Sequence, residues 1–346
     1  MALEIVLPGP LSTIQDIGRR GYQSQGFQEN GACDKYSMKL ANLLAGNLTE
    51  YDQAAVIEFT YSGGEIRFTS QEIFALTGAD MNPSLNGRPV PMYGPVIANP
   101  GDILSFGFAT SGLRTYLAVY GGICVPPIMG SRSTNLKCRI GGFEGSPLRA
   151  GAILSAGKTK EQVRLLMESI KGREKECSIK QEKPWLKRTF SPWRFYGNER
   201  FVLLRAVEGP QAEAFTEEGK KTFVRNPYRL LKDCDRMACR LEGPPIEMVN
   251  GADIISDGIA EGSVQVSASG LPMVMMADHQ TTGGYAKIAT VISADIPALA
   301  QLRPGDSAAF KFVTPEEGVA ACRLEERKLL SLKKRLWDTI YGLTKT

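Results

Sequence analysis

Two stretches of the chain break into short β-branched or aromatic runs punctuated by glycine, proline and asparagine, and this punctuation constrains the fold more than any other feature. Between Ala54 and Val125 the runs are VIEFT, EIRFT, EIFALTG, DILSFGF and RTYLAVYGG; from about Phe201 to Val313 they include FVLLRAVEGP, SVQVSASGLPMVMMAD and YAKIATVIS. Runs this short, bounded by turn formers, fit strands and leave no room for long helices. The expected fold is mainly β, with two domains of the same kind.

Between them, residues 158–183 turn abruptly charged, with Val163, Leu166 and Ile170 at helical spacing, which predicts a helical linker over 158–195. The expected division is therefore a first β domain at 1–157, this linker, a second β domain at 196–314 and a terminal helix at 315–346. NPGDILSFGF (99–108) and RPGDSAAFKF (303–312) share a Pro-Gly-Asp turn before an alternating strand, a weak internal echo of the halves. Asp34 is a good N-cap for KYSMKLANLLA, which Gly46 stops, and this helix is expected to plug one end of a barrel. Thr314, Pro315 and Glu317 form a capping box with a first-turn proline. The helix they start carries Leu329, Leu332, Leu336 and Ile340 on one face, as expected for docking on a domain or partner.

A formal charge of +4 spread over 346 residues, with no compact basic cluster among aromatics, argues against nucleic acid as partner. The seven cysteines are odd in number and never spaced C-x-x-C, which predicts reduced thiols in a cytoplasm and neither a zinc site nor a disulfide framework. MALEIVLPGP lacks the basic and apolar regions of a secretion signal, and no eighteen-residue apolar run exists, so the chain is expected to be neither secreted nor membrane-spanning.

The nearest approach to a nucleotide motif, AILSAGKT (152–159), has Ile153, Leu154 and Ser155 where a phosphate cradle needs a glycine-rich interior, and reads better as a strand. The Met38-Lys39 pair lies inside a helix, so the chain is not expected to carry biotin itself. No G-x-S-x-G elbow accompanies His279, the only histidine. Four loops gather polar groups at strand ends, where rigid strands can fix a ligand-facing loop. TIQDIGRRGY carries Gln15, Asp16, Arg19 and Tyr22, and alternatively reads as a β-turn stapled by an Asp–Arg pair. MGSRSTNLKCRIGGFEG offers Ser131, Arg132, Ser133 and Thr134 to an anion, or simply a capped turn. DCDRMACRLEGPP, with Asp233, Asp235, Arg236 and Arg240, reads as a structural ion-pair turn. ADHQTTGGYAKIATV places Asp278, His279, Gln280, Thr281 and Thr282 directly after an apolar strand.

In this order, GPLSTIQDIGRRGY, GACDKYSMKLANLLAGN, YLAVYGGICVPPIMGSRSTNLKCRIGGFEGSPLRAG, DRMACRLEGP and ADHQTTGGYAKIATVISADIPALAQLRPGD resemble the biotin-dependent carboxyltransferase family, also called allophanate hydrolase subunit 2 or KipA-like, over most of residues 8–312. The resemblance implies a cyclophilin-like β-barrel in each half and a KipI-like (allophanate hydrolase subunit 1) partner. With a LamB/YcsF-type subunit, it implies part of an ATP-dependent 5-oxoprolinase that opens 5-oxoproline to glutamate. ATP belongs to that complex and not necessarily to this chain. Two alternatives are a urea-type carboxyltransferase fed by biotin on another protein, and a regulatory partner of a KipI-like kinase inhibitor. The candidate site takes Asp278, Gln280 and Arg132 as catalytic, and Gln15, Asp16, Arg19, Tyr22, Ser131, Ser133, Thr134, Gln265, Thr281, Thr282, Tyr285 and Lys287 as substrate-binding, with no metal. In the oxoprolinase reading Arg132, Ser133 and Gln280 stabilise a developing oxyanion; in carboxyltransfer Lys287 or Arg132 holds the carboxylate. The family usually has arginine where His279 stands, glycine at Ala238, and proline at Ser267 and Ala286, so the histidine reads as a local substitution in a functional loop.

Overall fold

The computed structural model describes residues 2–157, 193–196 and 199–341. The charged helix predicted within 158–183 lies outside them. The described chain forms two compact units: residues 2–19, 34–157 and 327–341 make one, and residues 20–33 with 193–326 the other. The first half is thus not one contiguous domain, because the 20–33 strip packs with the second unit.

The first unit holds β1 (Ala2–Leu7), β2 (Leu11–Gln15), β3 (Val56–Thr60), β4 (Glu65–Phe68), β5 (Glu72–Asp80), β6 (Ser84–Leu85), β7 (Arg88–Pro89), β8 (Pro95–Ala98), β9 (Ile103–Ser105), β10 (Ser111–Val119) and β11 (Ile153–Ser155). They pair into two antiparallel sheets, ordered β11-β1-β4-β9-β6-β7 and β2-β3-β10-β5-β8. In β4, Ile66 and Phe68 point inward while Glu65 and Arg67 alternate outward, and Arg67 pairs with Glu4 directly across on β1 at 2.6 Å. Leu3, Ile5, Phe68 and Leu104 from one sheet and Ile14, Phe59, Phe74 and Leu117 from the other fill a single core. Each fully buried aliphatic or aromatic side chain there contributes about 1.5–3 kcal/mol. The first unit therefore closes by packing two sheets around one core.

β10 is buried on both faces because its opposite face lies under the helix Lys35–Leu44. The helix expected to plug a barrel end instead lies along β5 and β10, with Thr77 Oγ1 donating to the Ser37 carbonyl at 2.7 Å. Its start is as the sequence predicts: Asp34 accepts from the Ser37 amide at 2.8 Å and from the Ser37 hydroxyl at 2.6 Å, a cap worth about 1 kcal/mol.

The second unit contains β12 (Trp193–Tyr196), β13 (Glu199–Glu208), β14 (Tyr228–Leu230), β15 (Ala238–Glu242), β16 (Asp253–Gly258), β17 (Ser263–Val266), β18 (Pro272–Met275), β19 (Thr282–Tyr285), β20 (Lys287–Val291) and β21 (Ser307–Phe312). β12 occupies the last residues assigned to the linker. Seven strands follow in the order β13-β20-β17-β18-β15-β14-β21, and β21 returns to β13 in parallel register from Phe201 opposite Ser307 to Ala206 opposite Phe312. That last pairing closes the barrel and removes its free edges. Leu204, Tyr228, Val264, Val274, Ile288 and Phe310 fill it, and Phe223 from the helix Glu217–Arg225 stacks on Phe310 with centroids 4.4 Å apart.

The Pro-Gly-Asp echo is one turn built twice. Asn99 and Arg303 each donate their amide to the carboxylate three residues on (2.7 and 2.9 Å), Asp102 and Asp306 return a backbone bond (3.0 and 2.9 Å), and Gly101 and Gly305 hold φ of +91° and +93°. Proline at the second position and a left-handed glycine at the third define a type II turn. The terminal helix Pro315–Tyr341 opens with the predicted capping box, Thr314 and Glu317 exchanging bonds at 2.8 and 3.2 Å. On its predicted apolar face Leu329 and Leu332 are buried and Leu336 half-buried; the Ile340 side chain lies outside the described residues. Among the described residues no helix is long and apolar enough to cross a membrane.

Candidate functional site

In the first unit, Asp16 leaves β2 and gathers the 131–134 loop around its carboxylate. Oδ1 accepts from the hydroxyls of Ser131 (2.7 Å) and Ser133 (2.6 Å) and from the Gly18 amide (2.9 Å), while Oδ2 accepts from the Arg132 amide at 2.6 Å. The Ser133 hydroxyl also accepts from the Asp16 amide at 2.9 Å. Arg19, wholly buried, donates Nη2 to the Ser133 carbonyl at 2.9 Å and Nε to the Ile128 carbonyl at 3.3 Å. Thr134 Oγ1 donates to the Ile14 carbonyl at 3.0 Å. The serine and threonine hydroxyls nominated for an anion are thus engaged by the protein itself. They build the floor of the loop, because a buried polar group must find its partner within the fold.

The paired glycines of RIGGFEG belong to the same construction. A Cβ on Gly142 would sit 1.9 Å from Thr134 Oγ1, and one on Gly141 2.2 Å from the Ser133 carbonyl oxygen, with φ of +53° and +69°. What this loop leaves available is Arg132, half-buried, whose Nε donates to the Val125 carbonyl at 3.1 Å. Its two terminal nitrogens have no partner among the described residues. The amide of Gln15 is fully buried, with Nε2 on Thr13 Oγ1 at 3.0 Å and Oε1 unpartnered.

The second unit organises the 278–285 loop around a charged pair. Asp278 accepts from Arg236 twice, Nε to Oδ2 at 2.9 Å and Nη2 to Oδ1 at 3.0 Å, and Asn30 Nδ2 adds a bond to Oδ1 at 2.7 Å. Gln28 Nε2 donates to the Asp278 carbonyl at 2.5 Å, and Arg236 Nη2 reaches the Gly31 carbonyl at 2.6 Å. Arg236 is buried, so a bidentate partner is required of it. Asp278 therefore ties three segments together: its own loop, the 235–238 turn and the 28–33 strip. Arg236 is thus not held in the local ion-pair turn expected of it, and Gln28 and Asn30 join the site without a sequence signal. The local pair is Arg240 with Asp233 at 3.4 Å, while Asp235 caps the amides of Met237 and Ala238. Tyr22 belongs to the same strip, its carbonyl accepting from the amides of Gln25 and Phe27.

Beyond the clamp, His279 is buried, with Nδ1 2.7 Å from the Gln280 carbonyl. A carbonyl only accepts, so in the neutral ring Nδ1 carries the hydrogen and Nε2 keeps a lone pair. Nε2 has no partner among the described residues. Three side-chain ends close over Gly283: a Cβ there would lie 2.6 Å from Ile259 Cδ1, 2.8 Å from Gln265 Nε2 and 3.1 Å from Gln280 Nε2. Two amide donors converge over this glycine. Gln265 Nε2 also reaches the Tyr285 carbonyl at 3.3 Å, whereas the Gln280 side chain has no hydrogen-bond partner among the described residues. Thr281 is half-buried and Thr282 and Tyr285 are exposed along the rim.

Lys287, buried on β20, directs Nζ to Asp257 Oδ2 at 3.0 Å, and Gln211 Nε2 shares that oxygen at 3.1 Å. The Lys287 ammonium, then the Gly258 amide and Gln211, hold the Asp257 carboxyl below the usual range. The lysine meets a carboxylate of its own chain.

Residues 25–312 match the model of the carboxyltransferase domain, subdomains A and B. The chain belongs to this family. It is 35% identical to a named subunit of 5-oxoprolinase from Escherichia coli over 96% of this chain and 98% of that protein, and 33% identical to the Haemophilus influenzae protein of the same name over 93% and 95%. Urea amidolyase of Saccharomyces cerevisiae is 32% identical over 89% of this chain, which spans 16% of that much longer protein. The crystal structure of Kluyveromyces lactis urea carboxylase shares the fold, with a TM-score of 0.80 over 96% of this chain and 29% of that one, at 24% identity. The fold is that of the carboxyltransferase region, mainly β with few helices.

Proposed function

We propose that this protein is a subunit of an ATP-dependent 5-oxoprolinase that opens 5-oxo-L-proline to L-glutamate in the cytoplasm, together with KipI-like and LamB/YcsF-type partners. The observation that carries this reading is the end-to-end similarity to two bacterial proteins named as 5-oxoprolinase subunits, covering 98% and 95% of their lengths. The 279–285 loop supplies chemistry that suits a lactam. Gln265 and Gln280 donors above Gly283 match a carbonyl oxygen that gains charge on attack, and the lone pair of His279 Nε2 matches the ring N–H. Asp278 acts as a positioning residue through Arg236.

ATP is not assigned to the P-loop-like stretch, because Ile153 and Leu154 lie on β11 and pair with Glu4 and Leu3 of β1. Backbone committed to a sheet cannot turn successive amides toward phosphates. The test is a coupled assay of all three subunits with and without this chain. ATP-dependent glutamate formation is expected only in its presence; an undiminished rate without it overturns the proposal.

Carboxyltransfer is the second reading, favoured by the urea amidolyase relatives and by the shared fold of a urea carboxylase. There biotin comes from another protein, and Arg132 or Lys287 holds the transferred carboxylate. Transfer of labelled carboxylate from carboxybiotin to urea, measured with this chain present, distinguishes it from ring opening.

A further inference from the structure

The turn that presents Arg236 also brings two thiols together. Cys234 and Cys239 flank Asp235–Ala238, which is closed by the Asp235 amide on the Ala238 carbonyl at 3.2 Å. Both side chains pack into the same barrel core, and Cys234 Sγ lies against the backbone of the residue that follows Cys239, accepting from the Arg240 amide at 3.1 Å and donating to the Arg240 carbonyl at 3.4 Å.

The Cys239 thiol is the neighbouring side chain that acts most strongly on Cys234. With the Cys239 contact as the larger cause, the Cys234 thiol is held below its ordinary pKa although partial burial opposes the shift. Access differs between the two. Cys234 is half-buried, whereas Cys239 is 4% exposed and packs in the barrel core. A reachable sulfur stabilised as thiolate, beside a shielded second sulfur, is the arrangement of an attacking and a resolving cysteine.

We propose that Cys234 and Cys239 form a reversible dithiol–disulfide couple, in which Cys234 reacts with a hydroperoxide and Cys239 resolves the product. The Cys234 thiolate takes the terminal oxygen of the peroxide, breaking the O–O bond and releasing an alcohol after protonation. Cys239 then attacks the sulfenic sulfur, forming the S–S bond and releasing water. Two thiols are oxidised and one hydroperoxide is reduced to alcohol and water. The new ring encloses Asp235, Arg236, Met237 and Ala238, so oxidation fixes the turn from which Arg236 clamps Asp278.

The test treats the full chain with increasing hydrogen peroxide, alkylates the remaining thiols and maps the peptides by mass. The 234–239 link is expected at least about tenfold faster than loss of the exposed Cys124 or Cys138 thiols, and dithiothreitol should reverse it. Cys239→Ser should accumulate a sulfenic acid at Cys234 that dimedone traps, while Cys234→Ser should leave Cys239 unreacted. Cys239→Ala serves in place of the serine variant should that hydroxyl unfold the core. Progress of Cys234 to sulfinic acid beside a free Cys239, or equally fast reaction of Cys124 or Cys138, overturns the proposal.

Discussion

Asp16 and Asp278 stand at comparable places, each just past a strand and each gathering a loop around its carboxylate, yet they are held by different chemistry. Asp16 takes two hydroxyls and two backbone amides. Asp278 takes a buried guanidinium in two places and one side-chain amide. Neutral donors can rotate or find one another when their acceptor is lost; a buried cation cannot discard its charge. The two loops should therefore differ in what they lose when the carboxylate is removed.

The largest effect is expected from Asp278→Ala, which strands Arg236 without its counter-charge and should lower unfolding free energy by about 3–5 kcal/mol in denaturant titrations. Replacing both partners, Arg236→Met with Asp278→Leu, should be milder than Asp278→Ala alone. Asp16→Ala should cost less, about 2–3 kcal/mol, because the serine hydroxyls and amides it frees are uncharged. Equal losses at the two sites would show that the charge of the stranded donor does not set the cost.

Gly283→Ala should cost less than about 1 kcal/mol of stability, since the added methyl meets only the movable ends of Ile259, Gln265 and Gln280, but it should push both amide donors aside. It should lower glutamate formation in the reconstituted complex well beyond what that loss of stability explains. The smallest effect concerns the exposed end of the Lys287 pair. The carboxyl of Asp257 is depressed from its ordinary value of 3.8, so its contribution is complete above about pH 4 and disappears as pH falls through the lower folded value. An acid titration of stability should show this slope, and Lys287→Met should flatten it; screening at so open a position keeps the change slight.

Much of the scaffold was legible because local rules sufficed. Alternation in EIRF, the Asp34 and Thr314 caps and the repeated Pro-Gly-Asp turn each depend on residues within a few positions of one another. The parallel closure of β21 on β13 has no such signature, since its register joins positions about a hundred residues apart. The site was legible as loops and not as contacts. Ser131 and Ser133 look like ligand donors until Asp16 is seen to occupy them, and nothing near Asp278 announces that Asn30 is its partner. His279 reads as a local substitution; the tautomer on which its proposed role depends is set by the Gln280 carbonyl, a geometry no string of letters carries.

The strip at 20–33 leaves its own neighbours to complete the other unit, and the Asn30 to Asp278 bond joins positions 248 apart in the chain. During synthesis that strip emerges early and must wait, unsupported, until the final strands of the barrel have been translated. Long closures of this kind slow folding, and no single cut of the gene can yield either half intact. A truncation meant to isolate the barrel would need residues 20–33 supplied as a separate peptide, whose rebinding would report how firmly the clamp at Asp278 is set.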